Sequence, residues 1–245
     1  MSTTENNHIP FYEGQFGSWQ LKIQRQSFTT GELVTRFDKL AKSWHGLLQR
    51  LGYHAAYEEM WRKFLHAYET NWPHQGPAVL DCGAGTGPFS AAFGRAWSGP
   101  VALSAVDASP LMLREASRRY RKQGICADLQ RADMSKLPYR ENRFDLVMSA
   151  HVLEHLCDPT AALREMYRVL QPGGWLVIGA TRDSALGRYI HFKWRTHLFK
   201  PSQMRNWVRA AGFSNPPSTL PLSGLFGQTS LLCVCQKPLT ERSNA

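Results

Sequence analysis

The sequence predicts an α/β fold around a mostly parallel sheet, and three observations carry that expectation. From about residue 78, strand-like and helix-like segments alternate, as in strands joined by crossover helices. The first of these strands, "PAVLDCGAGTG" (77–87), runs straight into glycines. The second, "GPVALSAVDAS" (99–109), ends in an acid, Asp107, about twenty residues beyond the glycine loop.

Two helices precede the sheet. Leu33, Phe37, Leu40, Ala41, Trp44, Leu47, Leu48 and Leu51 share one face at helical spacing, and Thr29 with Glu32 forms a capping box ahead of them. Tyr57, Met60, Trp61, Phe64, Leu65 and Tyr68 give the second helix its stripe. Both stripes read first as ordinary packing, although a face so rich in aromatics can lend a ring to a site it covers. Between the first two strands, "FSAAFGRAW" is a short helix. Ser109-Pro110 then sets an N-cap and a first-turn proline for "LMLREASRRYRKQG", which closes on Gly124. "FDLVMSA" is a clear strand. Asp158-Pro159 repeats the cap-and-proline device before "TAALREMYRVL", stopped by "QPGG". "WLVIGATRD" is a strand, "SQMRNWVRAAGF" an amphipathic helix, and "QTSLLCVCQK" the last strand.

Composition narrows the class without choosing a partner. A chain of 245 residues with 43% hydrophobic and 20% charged content fits a globular protein large enough for one domain with a cap. No apolar run is long enough to span a bilayer, and the N-terminus lacks a signal-peptide pattern. Five cysteines without framework spacing point to reduced thiols and a cytoplasmic location. Cys233 and Cys235 fall on one face of a strand as packed small hydrophobes. The net charge of +10 admits nucleic acid, an anionic surface or an acidic small molecule.

The chemistry concentrates in the glycine loop. Asp81 ends a strand, and glycines at 83, 85 and 87 let the chain turn tightly and let a ligand approach the main chain. The dinucleotide pattern G-x-G-x-x-G would place glycine where Pro88 stands. Asp107 lies where a carboxylate meets ribose hydroxyls, and Asp133 in "QRADMSKLPY" could accept from an exocyclic amine. "HVLEH" (151–155) has the H-x-x-E-H spacing of a zinc helix. It follows directly on a strand, however, and a zinc site needs both histidines within one helix and a third ligand. No metal is expected there.

Assembled, "VLDCGAGTG", "VDASPLML", "RADMSKLPYRENRFDLVMSAHVLEHLCDP" and "EMYRVLQPGGWLVI" make the chain resemble the class I S-adenosylmethionine-dependent methyltransferases over residues 77–237. The resemblance implies a Rossmann-like, seven-stranded sheet with an antiparallel last strand. Residues 1–76 would form an N-terminal segment and helical cap or lid, and residues 77–245 the cofactor-binding core with a lid insertion near 182–200. It implies S-adenosylmethionine as cofactor, with S-adenosylhomocysteine as product. Asp81, Gly83, Ala84 and Gly85 would hold its methionine end, Asp107 its ribose, and Ala108 and Met112 would flank the adenine. Asp133 and the Met134 backbone would read the adenine edge, with Ala150 at the mouth of the site. Similar "LEHL" text occurs in this family without metal.

Methyl transfer needs a base only if the acceptor must lose a proton. His151 is the candidate, since histidine titrates near neutrality, and His155 is a candidate substrate contact. The lid segment "RYIHFKWRTHLFK" (188–200) interleaves basic residues with aromatics and offers Tyr189, His191 and Trp194 to a planar, possibly acidic substrate. The expected acceptor is a nitrogen or oxygen of a small planar heterocyclic secondary metabolite. Length and lid are similar to those of bacterial N-methyltransferases acting on azapteridines such as toxoflavin precursors. Quinone-like phenols and lipid headgroups are alternative acceptors. Nucleic acid is not expected: the Asp/Asn-Pro-Pro-Tyr segment of base-amine enzymes is replaced by "SAHV", although RNA stays open. A nicotinamide-dependent oxidoreductase would need the longer glycine pattern, which is not present.

Overall fold

Val79 and Leu80 point to opposite faces of the first core strand, yet both are fully buried, because helices cover the sheet on each side. That strand, β3 (Ala78–Cys82), pairs in parallel with β4 (Ala102–Asp107) on one flank and with β6 (Phe144–Ala150) on the other. The computed structural model describes residues 8–26, 28–68, 72–156, 158–197, 200–213, 218–220 and 224–239. β5 (Ala127–Arg131) continues the sheet beyond β4, and β7 (Leu170–Thr181) lies parallel to β6. The last strand, β9 (Ser230–Gln236), runs antiparallel and slots between β7 and the short β8 (Ser218–Leu220). The order β5-β4-β3-β6-β7-β9-β8 meets the expectation of seven strands, mostly parallel, with an antiparallel last strand.

The chain starts in the middle of this sheet, works outward through β4 and β5, then returns to lay β6 against β3. Strand order reverses between β3 and β6, so their carboxyl ends border the crevice where open α/β sheets take ligands. On one face, α5 (Thr160–Val169) and α7 (Pro201–Ala210) bury Leu163, Met166 and Val208 against Leu80, Phe144 and Leu176. On the other, α2 (Tyr53–Ala67), α3 (Pro88–Ala96) and α4 (Pro110–Lys122) bury Trp61, Phe93 and Tyr120 against Val79, Leu146 and Met148.

Several local signals act as read. Thr29 and Glu32 form the capping box of α1 (Thr30–Arg50), and the Ser109 hydroxyl caps α4 by accepting from Met112 N–H. Cys233 and Cys235 lie buried side by side, their sulfurs 3.8 Å apart. Other details differ. The α5 helix opens one residue later than expected, with Asp158 accepting from Thr160 N–H at 2.8 Å. "QPGG" belongs to the irregular start of β7, where Gly173 adopts φ +80°. Within the segment read as a lid, residues 185–194 form helix α6 (Ala185–Trp194), opened by Ser184 accepting from Gly187 N–H.

Residues 8–26 form a hairpin, β1 (His8–Phe16) with β2 (Trp19–Gln26), and Phe16 and Trp19 beside its turn stand exposed. The hairpin leads to Phe28, whose ring lies under the guanidinium groups of Arg36 and Arg195 at 5.1 and 4.5 Å. Among the described residues, no helix is long and apolar enough to cross a membrane.

Candidate active site

A cavity of ≈ 440 Å³ opens at the carboxyl ends of β3, β4 and β6. The glycine loop forms its floor. Gly83 and Gly87 adopt φ of +72° and +77°, and a Cβ on either would meet a neighbour at 2.6 Å: the Val152 side chain for Gly83, the Tyr120 hydroxyl for Gly87. Glycine is therefore required at both for two independent reasons, backbone conformation and close packing. Gly83 and Ala84 both donate their N–H to Val106 O, which ties the loop across to β4.

Two carboxylates flank this floor. Asp107 accepts from Gly85 N–H at 2.7 Å through Oδ2 and from Ser109 N–H at 2.8 Å through Oδ1. Burial nevertheless raises its carboxyl above the usual range, against the pull of those two bonds. Asp81 is 1% exposed, and its Oδ2 is buried without a hydrogen-bond partner. Burial pushes its carboxyl up to about 7, Ser90 works the other way through hydrogen bonds, and the nearby Asp107 adds to the rise. A cation arriving beside Asp81 would relieve both the desolvation and the missing bond.

The opposite wall comes from the cap. The apolar stripe of α1 is mostly half-buried rather than packed away, and Leu33, Val34, Phe37, Trp44, Leu47 and Leu48 face the cavity. The stripe of α2 is core apart from Tyr57, which is buried but borders the cavity: Met60, Trp61 and Phe64 are packed away, and the Trp61 indole donates to Phe89 O at 3.1 Å. Two contacts fasten α1 over the site. The Ser109 hydroxyl donates to Asp38, and Arg119, which donates to Thr86 O at 2.7 Å, reaches His45 Nε2 at 3.2 Å. Trp194 of α6 closes the wall, stacked on Phe37 at 5.9 Å and edge-on to Trp44 at 5.3 Å.

At the mouth stands a polar cluster. His151 follows β6 with φ +57°, a backbone conformation uncommon outside glycine. The 3₁₀ turn η1 (Leu153–His155) then carries Glu154 inward, where it is 3% exposed. The Glu154 carboxylate accepts from Thr181 N–H at 2.8 Å and from the Thr181 hydroxyl at 2.5 Å, and its Oε1 lies 3.5 Å from His151 Nδ1. Burial opposes charge on Glu154, but His151, His155 and Thr181 outweigh it and hold the carboxyl below the ordinary range. Thr181 spends its hydrogen on Glu154, so it offers His151 Nδ1, 3.4 Å away, only a lone pair. Both neighbours of Nδ1 are then acceptors, which places the ring proton there and leaves Nε2 as a lone pair beside the Ser230 hydroxyl at 3.3 Å. The rings of Tyr53 and Tyr57 lie 5.6 and 6.4 Å from the His151 ring.

The H-x-x-E-H spacing thus sits on a strand end and a single 3₁₀ turn rather than on a helix. Its glutamate is committed to Thr181, and His155 lies edge-on to Phe37 at 5.3 Å, where burial pulls the imidazole down to about 4.

Of the residues singled out in the sequence, Asp81, Gly83, Ala84, Gly85, Asp107, Ala108, Met112, Asp133, Met134, Ala150, His151, His155, Tyr189 and Trp194 all border this one cavity. His191 does not border it; that side chain is buried on the inner face of α6, 7% exposed. Asp133 is exposed and accepts from Ser135 N–H at 2.9 Å. Sequence reasoning missed Glu154, Thr181 and the wall of α1. The aromatic stripe was a signal for the wall, but nothing local shows the bond of Glu154 to Thr181, 27 residues away.

A glycine loop at the switch point, an acid ending each of the first two core strands, an antiparallel β9 and a helical cap define a class I methyltransferase fold. Residues 80–178 match the family described as "Methyltransferase domain". That match runs from β3 into β7 and includes the glycine loop, and it implies S-adenosylmethionine as cofactor. The chain is 38% identical over 117 residues to the ubiquinone/menaquinone biosynthesis C-methyltransferase UbiE of Desulfotalea psychrophila, covering 48% of this chain and 46% of that protein. The chain therefore spans about half the length of the curated relatives it matches. A SAM-dependent methyltransferase of Aquifex aeolicus superposes with a TM-score of 0.57 at 18% identity, covering 72% of this chain and 88% of the other. The [4+2]-cyclase SpnF superposes at 0.58 and 19% identity, covering 74% and 81%. At such identities the likeness is one of fold.

The residues present fit the cofactor. A partnerless buried carboxylate oxygen at Asp81 suits an ammonium, and the glycine loop leaves main chain open to the cavity beside it.

Proposed function

We propose that this chain transfers a methyl group from S-adenosylmethionine to a nitrogen or oxygen of a small planar acceptor seated between the cap and the carboxyl ends of β3 and β6. The observation that carries the reading is the two-sided cavity, with buried acids and open main chain on one wall and aromatic rings on the other. When bound, the cofactor supplies an activated methyl on a sulfonium for in-line displacement. Asp81 holds the ammonium and the Gly83–Gly85 main chain holds the methionine end, while Asp107 accepts from the ribose hydroxyls. Ala108 and Met112 flank the adenine, and Asp133 and the Met134 backbone meet its edge. Phe37, Trp44 and Trp194 seat the acceptor's flat face and exclude water. His151 Nε2, beside the Ser230 hydroxyl, takes the acceptor's proton, and Glu154 with Thr181 holds the ring's own proton on Nδ1. Orienting the acceptor in line with the methyl supplies much of the rate, because a bimolecular encounter becomes an intramolecular one.

A heterocyclic secondary metabolite of the azapteridine kind suits the aromatic wall. A quinone-like phenol is the second reading. It is favoured by the UbiE relatives, named as C-methyltransferases of quinone biosynthesis, and by the aliphatic part of the α1 wall, Leu33, Val34 and Leu47. The deciding experiment incubates the full chain with methyl-labelled S-adenosylmethionine and a panel of azaheterocycles and hydroquinones. Label in an azaheterocycle supports the first reading, and label in a hydroquinone, on its oxygen or on a ring carbon, the second. If neither S-adenosylmethionine nor S-adenosylhomocysteine raises the melting temperature, both readings fail.

A further inference from the structure

The cavity has a rim that water does not suit. Among the described residues only eight large hydrophobic side chains are strongly exposed, and three of them, Leu51, Leu186 and Tyr189, also line the cavity. A fourth, Phe192, lies on the same helix as two of these and is 54% exposed. At about 100° per residue, the outward arc of α6 reads Arg188, Phe192, Ala185, Tyr189, Lys193, Leu186 in angular order, all exposed. Two aromatics are thus flanked by two bases, Arg188, which is ion-paired with Asp183 at 2.8 Å, and the exposed Lys193. The other lip, at the end of α1, repeats the pairing as Arg50 beside Leu51, both exposed.

We propose that this rim docks on an anionic lipid surface, and that the acceptor enters the cavity from that surface. The inference rests on the cavity being the acceptor site of a methyltransferase. Interleaved rings and bases are what an interfacial helix presents to a headgroup layer, with apolar parts below the phosphates and cations among them. Charge selects the occupant. A second copy of a chain carrying +10 would bring the same basic rim against itself, whereas an anionic bilayer attracts it. Continuity supports the same choice, since Leu51, Leu186 and Tyr189 belong to mouth and surface at once. An acceptor with an apolar tail would pass from lipid to the aliphatic wall of α1 without crossing water.

The test is co-sedimentation of the full chain with vesicles of phosphatidylcholine alone and of phosphatidylcholine mixed with phosphatidylglycerol. Binding is expected only to the mixed vesicles, and Phe192→Glu should weaken it about tenfold or more. Leu239→Glu is the control. Leu239 is 76% exposed but follows β9, whose Gln236 pairs with Trp175 near the start of β7, at the sheet end away from the cavity. Each variant should keep the melting-temperature rise given by S-adenosylhomocysteine, which separates a docking defect from misfolding. If wild type ignores anionic vesicles while S-adenosylhomocysteine still binds, the docking inference falls and the methyltransferase reading stands. Equal losses in Phe192→Glu and Leu239→Glu would also overturn it, as would a dimer in light scattering that Phe192→Glu dissolves, or capture of an acidic protein without vesicle binding.

Discussion

Glu154 is a buried acid whose value lies in what it does to a neighbour. Replacing it with Gln keeps the volume and one acceptor oxygen but removes the charge, and the new amide can donate to His151 Nδ1, which favours the wrong tautomer. We expect Glu154→Gln to lower turnover about a hundredfold, the scale of general-base catalysis, with S-adenosylhomocysteine affinity unchanged. Turnover at saturating cofactor, beside calorimetric binding, checks this, and a fall in both would mark a structural role only. Asp107→Ala should instead abolish the cofactor-dependent rise in melting temperature, because Asp107 orders Gly85 and Ser109 as well as facing the cavity. Gly87 makes a stability prediction. Alanine there combines φ +77° with a Cβ 2.6 Å from the Tyr120 hydroxyl. A loss of about 2–4 kcal/mol follows, read as a lower urea midpoint at unchanged slope.

At the scale of elements, the two cap helices separate two meanings of one sequence pattern. Both carry apolar stripes at helical spacing. The α2 stripe is core apart from Tyr57, and Trp61→Ala should cost about 3–5 kcal/mol through its cavity and the lost bond to Phe89 O. The α1 stripe lines the cavity, so Leu47→Ala should cost under about 1 kcal/mol while raising the acceptor KM severalfold and leaving cofactor binding alone. Equal destabilisation by the two substitutions would remove the distinction. Periodicity reports that a face avoids water; whether protein or ligand covers it depends on the far wall, which no local pattern encodes. The same limit explains the rest. The glycine loop, Asp81 and Asp107 were legible because strand, turn and acid follow one another within about thirty residues. Glu154 was not, because its meaning comes from Thr181 on a different strand. His191 was drawn into the acceptor site by its aromatic and basic company, and the helical turn of α6 carries it to the inner face instead.

Over the whole molecule these buried groups give the fold a pH dependence that the cofactor should reshape. His155, pulled down to about 4 by burial, stays neutral when folded but protonates when unfolded. The unfolded chain then binds more protons between about pH 4 and pH 6.5, so this contribution to stability is lost as pH falls through that window. His54, half-buried and also lowered to about 4, acts in the same direction, though solvent screens it more. Asp81 acts oppositely. Its carboxyl is raised from 3.8 to about 7, so between those values the folded chain binds the extra proton and stability falls as pH rises. Burial raises Asp107 as well, adding to that slope. The cofactor-free protein should therefore be most stable near about pH 6.5, where the histidine losses have ended and the loss from Asp81 is almost complete. An ammonium placed beside Asp81 reverses its preference, restoring the ionised form and abolishing the loss above that point. The rise in melting temperature produced by S-adenosylhomocysteine should accordingly be small near pH 5, grow up to about pH 7 and then level off, with a proton released on binding below about pH 7. Melting curves with and without ligand across that range, and calorimetry in buffers of different ionisation enthalpy, measure both quantities. A rise independent of pH, with no proton released, would mean that Asp81 is not the partner of the cofactor's ammonium.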